Sequence, residues 1–153
     1  MLPAFKAVTA INGSSATAAG TVTSSVIDTL GFDWASIDIW GTTQAASTQA
    51  GSPSVLKLQE SDNTTASNFV DIVGFRGGSA TATNVDFLVG FSTTLTAVPS
   101  YKFNVDCRAR KRYLSLVISP ATSQTFFANA NLGRPEQGIS TAARANVLSL
   151  IEG

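Results

Sequence analysis

Few residues in this chain could do chemistry, and their types narrow what chemistry is open. The sequence has no histidine. That removes the commonest general base, the commonest metal ligand and every Ser-His or Cys-His nucleophile pair. The ten acidic residues are scattered, with no spacing that argues for a glycosidase pair. Asp28, Asp33 and Asp38 lie close in sequence, but no EF-hand or nonapeptide repeat accompanies them. They read as solvated loop or strand-face aspartates. Gly77-Gly78 is not followed by Gly-Lys-Ser/Thr, so no phosphate-binding loop is expected there. Cys107 is the single cysteine and excludes an internal disulfide framework. It falls on the apolar side of an alternating segment, where a thiol is an inert core group. No catalytic residue, cofactor or metal is expected, and the chain reads as a binding or structural protein rather than an enzyme.

Two other groups point to contact rather than catalysis. Arg108, Arg110, Lys111 and Arg112 place four of the ten positive charges within five residues. The cluster fits a solvated hairpin end whose charges deter edge pairing. It also fits a docking patch for acidic protein, since arginine pairs bidentately with carboxylates. Nucleic acid is disfavoured by ten bases against ten acids. Alternation puts Arg110 and Arg112 on one side of an extended segment and Lys111 opposite, so Arg110 with Arg112 is the expected docking set. Trp34 and Trp40 share a strand face by parity, with Asp38 between them. Packing in a core or an oligomer interface is the expected role, and stacking on a sugar ring is the alternative.

The elements that must position these residues are strands. Tyr101, Phe103, Val105 and Cys107 alternate with Lys102, Asn104 and Asp106. Leu114, Leu116 and Ile118 share a face opposite Tyr113, Ser115 and Val117. The segment Arg108–Arg112 between them reads as a hairpin connection or its shoulders. Ala35, Ile37 and Ile39 alternate with Ser36, Asp38 and Trp40, and Leu56 and Leu58 with Lys57 and Gln59. Asn68–Phe75 carries Phe69, Val73 and Phe75 on one face, with Val70 and Ile72 on the other. Val85–Phe91 alternates as well. Phe126, Ala128, Ala130 and Leu132 oppose Phe127, Asn129 and Asn131. Val22–Leu30 is a further strand, and Phe5–Ile11 another strand or an extended arm. Asn12–Ser15, Gly41–Pro53, Ser61–Ser67, Gly77–Ser79 and Ser92–Ser100 read as turns or loops. The one helix candidate is a short C-terminal piece, Ser140–Val147, capped by Ser140.

This is the pattern of an all-β fold, an antiparallel β-sandwich of jelly-roll type. A chain of 153 residues fits one domain. The expected core runs from about residue 20 to 133, with an N-terminal arm 1–12 and a C-terminal tail 134–153. Charged residues make up 13%, about half the usual ~25%, and Ser with Thr fill roughly a quarter of the chain. A surface low in long charged side chains loses little on being covered. Met1–Gly20 lacks a charged stretch followed by an apolar core, and no apolar run approaches the ~20 residues that span a bilayer. Synthesis in a cytoplasm and no membrane partner are the expectations.

Three stretches carry a resemblance. They are Val26–Phe32 running into Ala35–Gly41, then Leu56–Asp62 with its Ser/Asn/Thr loop, and Cys107–Leu114 leading into Leu116–Pro120. In these the chain resembles the capsid decoration, or cement, proteins that bacteriophages encode near the major capsid protein. The resemblance implies a virion structural protein on the outer capsid surface. Such a protein self-associates as a dimer or trimer and clamps neighbouring capsomers. It carries no family site residues. The expected interface residues are the basic cluster together with apolar anchors of the termini, Leu2, Phe5, Leu148 and Ile151. At least one of the tails is expected to leave the sandwich and lie on a neighbouring subunit. The alternative is a receptor- or carbohydrate-binding module of a phage fibre.

Overall fold

Alternating apolar residues can bury one face only if a second sheet covers it, and here two sheets do so. The computed structural model describes residues 5–17, 20–42, 53–78, 86–88 and 100–135. In chain order the strands are β1 (Phe5–Ala16), β2 (Val22–Thr23), β3 (Ile27–Asp28), β4 (Phe32–Gly41) and β5 (Val55–Ser61). They continue with β6 (Val70–Gly78), β7 (Phe87–Leu88), β8 (Ser100–Asp106), β9 (Tyr113–Ser119) and β10 (Gln124–Pro135). A four-stranded sheet has the order β1-β10-β4-β8. A six-stranded sheet has the order β2-β9-β5-β6-β7, with β3 also paired to β9. Among the described strands the chain passes from one sheet to the other six times, and β2–β3 and β5–β6–β7 run on within a sheet. That winding is the jelly roll expected from the sequence. One pairing departs from the antiparallel expectation: β7 lies parallel to β6.

The core sits between the sheets. Ala35, Ile37 and Ile39 of β4 and Phe126, Ala128, Ala130 and Leu132 of β10 face Leu56 and Leu58 of β5 and Leu114, Leu116 and Ile118 of β9. Each large side chain buried here stabilises the fold by ~1.5–3 kcal/mol relative to exposure. Phe103 of β8 meets the rings of Phe75 and Phe87 edge-on at 5.6 and 5.9 Å, which closes the core at one end.

Several local expectations are corrected. Residues from Phe5 onward are no free arm. They form β1, one of the two longest strands, paired with β10 along its length, and Ala10 and Ile11 are buried in the core. Asn12–Ser15 is no turn. It lies within β1, where two one-residue bulges, at Thr9/Ile11 and Ile11/Ser14, absorb the extra chain. Gly13 takes the left-handed conformation there, with φ +67. The connection between β8 and β9 is no hairpin, because the two strands belong to opposite sheets. Their apolar faces point at each other across the core rather than lying side by side.

Val22–Leu30 breaks into β2 and β3. Ser24 Oγ accepts the Leu116 N–H in place of a backbone carbonyl, and the Ser25 N–H turns to Ala10 O on the other sheet. In β6 the plain alternation fails. Lys57 and Gln59, two residues apart, face Arg76 and Asp71, five apart. The excess bulges around Gly74 at φ +92, leaving Val73 73% exposed, while Ile72 is buried and Val70 is not. Ser140–Val147, most of the Gly41–Pro53 loop and most of Val85–Phe91 lie outside the described residues.

Candidate functional site

Ion pairing decides first what the surface has to offer. Each of the eight described carboxylates pairs with a different base: Asp71 with Lys57, Asp86 with Arg76, Asp38 with Lys102, Asp106 with Arg108, Glu60 with Arg110, Asp62 with Lys111, Asp28 with Arg112 and Asp33 with Arg134. The ammonium of Lys6, the remaining described base, sits over the Phe32 ring at 5.9 Å. The described surface is therefore neutralised locally as well as overall.

Every member of the basic cluster has a carboxylate partner within the chain. Arg108 donates twice to Asp106, at 2.9 and 2.6 Å, and that carboxylate also caps the short 3-10 turn Cys107–Ala109 through the Arg108 N–H. The Arg108 guanidinium holds the Asp106 carboxyl at about 2, below its usual range. Arg112 reaches Asp28 of β3 at 2.9 and 2.7 Å and lies over the Tyr113 ring. Arg110 and Lys111 go the other way, to Glu60 and Asp62 beside β5. Since β9 lies between β3 and β5, the segment ties three strands together at one end of the sheet. Within the chain, Arg110 and Arg112 thus pair with opposite neighbours of β9. Cys107, in the same crossing, is buried, and burial pushes its thiol up to about 11, as an inert core group requires.

The tryptophans are where the parity argument put them but not in the expected setting. Both stand on the outer face of the four-stranded sheet, Trp34 36% and Trp40 40% exposed. The register lays out this face in rows across β1, β10, β4 and β8. One row is Phe5, Gly133, Trp34 and Asp106; the next is Ala7, Asn131, Ser36 and Asn104; the next is Thr9, Asn129, Asp38 and Lys102. The last row places Phe127 beside Trp40 and Ser100, with the two aromatic rings parallel at 6.0 Å. Six residues of extended strand separate the tryptophans by ~20 Å.

Between them runs a connected polar strip. Asn129 donates to Asn131 at 3.2 Å, Asn131 to Asp38 at 3.5 Å, and Lys102 pairs with Asp38 at 3.2 Å. At the Trp34 end, an added Cβ on Gly133 would come 3.1 Å from the indole nitrogen, so the glycine lets the ring lie down on the sheet. Beside it opens a cleft of about 390 Å³ lined by Asp33, Trp34, Asn104, Val105, Asp106, Arg108 and Arg134. Arg134 holds φ 54, a conformation a bulky residue rarely adopts. Phe5, expected as a tail anchor, sits at the rim of this face, 49% exposed. Leu2, Leu148 and Ile151 lie outside the described residues.

The sequence reading missed Asn129, Asn131, Ser36, Asn104, Gly133 and Arg134. The signal for the first four was the outward parity of small polar residues on three strands. None was available for Gly133 or Arg134, whose roles come from the neighbouring strand. Among the described residues no group of three or more Cys, Asp or Glu side chains is placed to hold a metal ion. Comparisons with protein-family models, with curated proteins and with solved structures return no match.

Proposed function

We propose that this chain is a decoration protein of a bacteriophage virion, a non-enzymatic jelly roll that sits on the outer capsid surface and bridges neighbouring capsomers. Its partners are the major capsid protein and further copies of itself. The sequence resemblance supplies the capsid, and the jelly roll is an architecture used by viral capsid and lectin domains alike. The observation that carries the reading is the outer face of the six-stranded sheet. On β9 the outward positions Ser115, Val117 and Ser119 are themselves buried, and the accessible part of the face lies on either side of them, at the exposed Thr21 and Thr23 and the half-buried Val55, Lys57 and Gln59. The Lys57 charge is met by Asp71 at 2.8 Å, and Val73 stands exposed on β6. Among the described residues such a face has few long side chains to order and no unpaired ion to desolvate when covered. Many copies in symmetric array make shallow contacts of this kind add through avidity.

The test is co-sedimentation of the purified chain with empty capsids of its own phage. Parent protein pellets with capsids, and a Thr23→Glu, Val73→Glu double variant pellets at less than a tenth of that occupancy. Removing residues 1–4 and 136–153, which hold Leu2, Leu148 and Ile151, lowers occupancy and leaves the sandwich folded. Parent protein that stays in the supernatant at every concentration contradicts the proposal.

A further inference from the structure

We infer that the outer face of the four-stranded sheet is a glycan-binding platform, and that its ligand is an extended, uncharged oligosaccharide lying along β4 from Trp34 to Trp40. The inference does not depend on capsid binding, since it concerns the opposite face of the sandwich.

The chemistry of the face selects the ligand. A sugar ring offers an apolar C–H face ringed by hydroxyls that donate and accept. An exposed indole is a plate for the first, and planar amides and carboxylates serve the second. Here the two plates stand at the ends of one strand, ~20 Å apart. Asn129, Asn131 and Asp38 fill the interval, already linked and so held in place. Gly133 clears the floor under Trp34, and the adjoining cleft of about 390 Å³ is in the range of small-ligand sites. The charged residues around it, Asp33 with Arg134 and Asp106 with Arg108, are paired with each other. An ionic ligand would have to break those pairs, whereas a neutral one can hydrogen-bond to them as they stand.

A protein partner fits the same face less well. Protein interfaces place their aromatic anchors at a dry centre and their polar groups at the rim. This face has the reverse order, with aromatics at the two ends and amides in the middle.

The probes are linear oligosaccharides of glucose, galactose, mannose and N-acetylglucosamine, two to six units long, added to the full chain and followed by tryptophan fluorescence and calorimetry. At least one series binds, with affinity rising as the oligomer lengthens to span both tryptophans. Trp34→Ala and Trp40→Ala each weaken that binding at least ten-fold. Asn129→Ala with Asn131→Ala does the same at unchanged melting temperature, and Thr23→Glu on the opposite face leaves binding intact. Absence of binding by all four series at millimolar sugar overturns the inference, as does binding that survives loss of both tryptophans. If Trp34→Ala and Trp40→Ala abolish capsid pelleting while no sugar binds, the face docks on protein and the glycan assignment is wrong.

Discussion

Glu60 and Asp62 stand two residues apart and serve the same basic segment, yet their removal has different consequences. Glu60 is only 16% exposed; it accepts the Lys111 backbone N–H at 3.1 Å and meets Arg110 at 3.8 Å. Asp62 is 73% exposed and meets only the Lys111 ammonium, at 3.0 Å. A hydrogen bond to a charged group is worth ~1.5–3 kcal/mol, and an exposed pair ~0–1. Glu60→Ala strips a part-buried N–H of its acceptor at the crossing between the sheets, and so costs ~2–3 kcal/mol. For a chain of this size that lowers Tm by ~4–12 °C. Asp62→Ala costs at most ~1 kcal/mol, or ~2–4 °C, and that loss vanishes at 1 M salt, where the screening length falls to ~3 Å. Glu60→Gln keeps an acceptor for the N–H and falls between the two. The assay is calorimetric melting of the three variants at 0.1 and 1 M NaCl. Equal losses for Glu60→Ala and Asp62→Ala, or a Glu60→Ala loss that disappears in salt, would refute the assignment of Glu60 as a backbone cap.

Other expectations follow from the same geometry. Cys107 stays unlabelled by a thiol reagent at pH 8 in the folded protein and reacts fully in denaturant, because burial covers its thiol and pushes it up to about 11. Rapid labelling of folded protein contradicts this. The Arg112 guanidinium holds the Asp28 carboxyl below the usual carboxylate range, and Arg108 holds Asp106 at about 2. Groups depressed in the folded state stabilise it above their unfolded pKa, and the gain is lost as pH falls through the folded value. Tm therefore drops as pH falls below ~4, and Asp28→Asn, less stable at pH 7, converges with the parent as the Asp28 carboxylate takes up its proton in the folded state; parallel curves would refute it. Gly78→Ala destabilises by at least ~1–3 kcal/mol in a urea titration, because its Cβ would overlap the Ser54 carbonyl, a backbone group that cannot swing aside. An unchanged midpoint refutes that contact.

Much of the fold was legible because strand alternation is a local signal. Ile37 and Ile39, Phe103 and Val105, and Leu114, Leu116 and Ile118 all point inward as their spacing predicted. Which sheet a strand joins is not local. Tyr101–Cys107 and Tyr113–Ile118 look like the arms of a hairpin, yet the turn at Cys107–Ala109 sends them to opposite sheets. Asn12–Ser15 has turn composition but is held extended by β10, with Gly13 absorbing a bulge. The binding face was half legible. Parity set Trp34 and Trp40 on one side, but their exposure depends on whether anything covers that side. Arg108 finds its partner two residues away in Asp106, but those of Arg112 and Lys111 were not legible, because Asp28 and Glu60 lie 84 and 51 residues from them.

The most direct test of the account is electron cryomicroscopy of empty capsids saturated with the purified chain. The account predicts added density on the outer capsid surface at symmetry-related positions, fitted by the jelly roll with its six-stranded sheet toward the capsid and Trp34 and Trp40 toward solvent. Capsids without added density at saturating protein, or density with the tryptophan face buried against the shell, would contradict it.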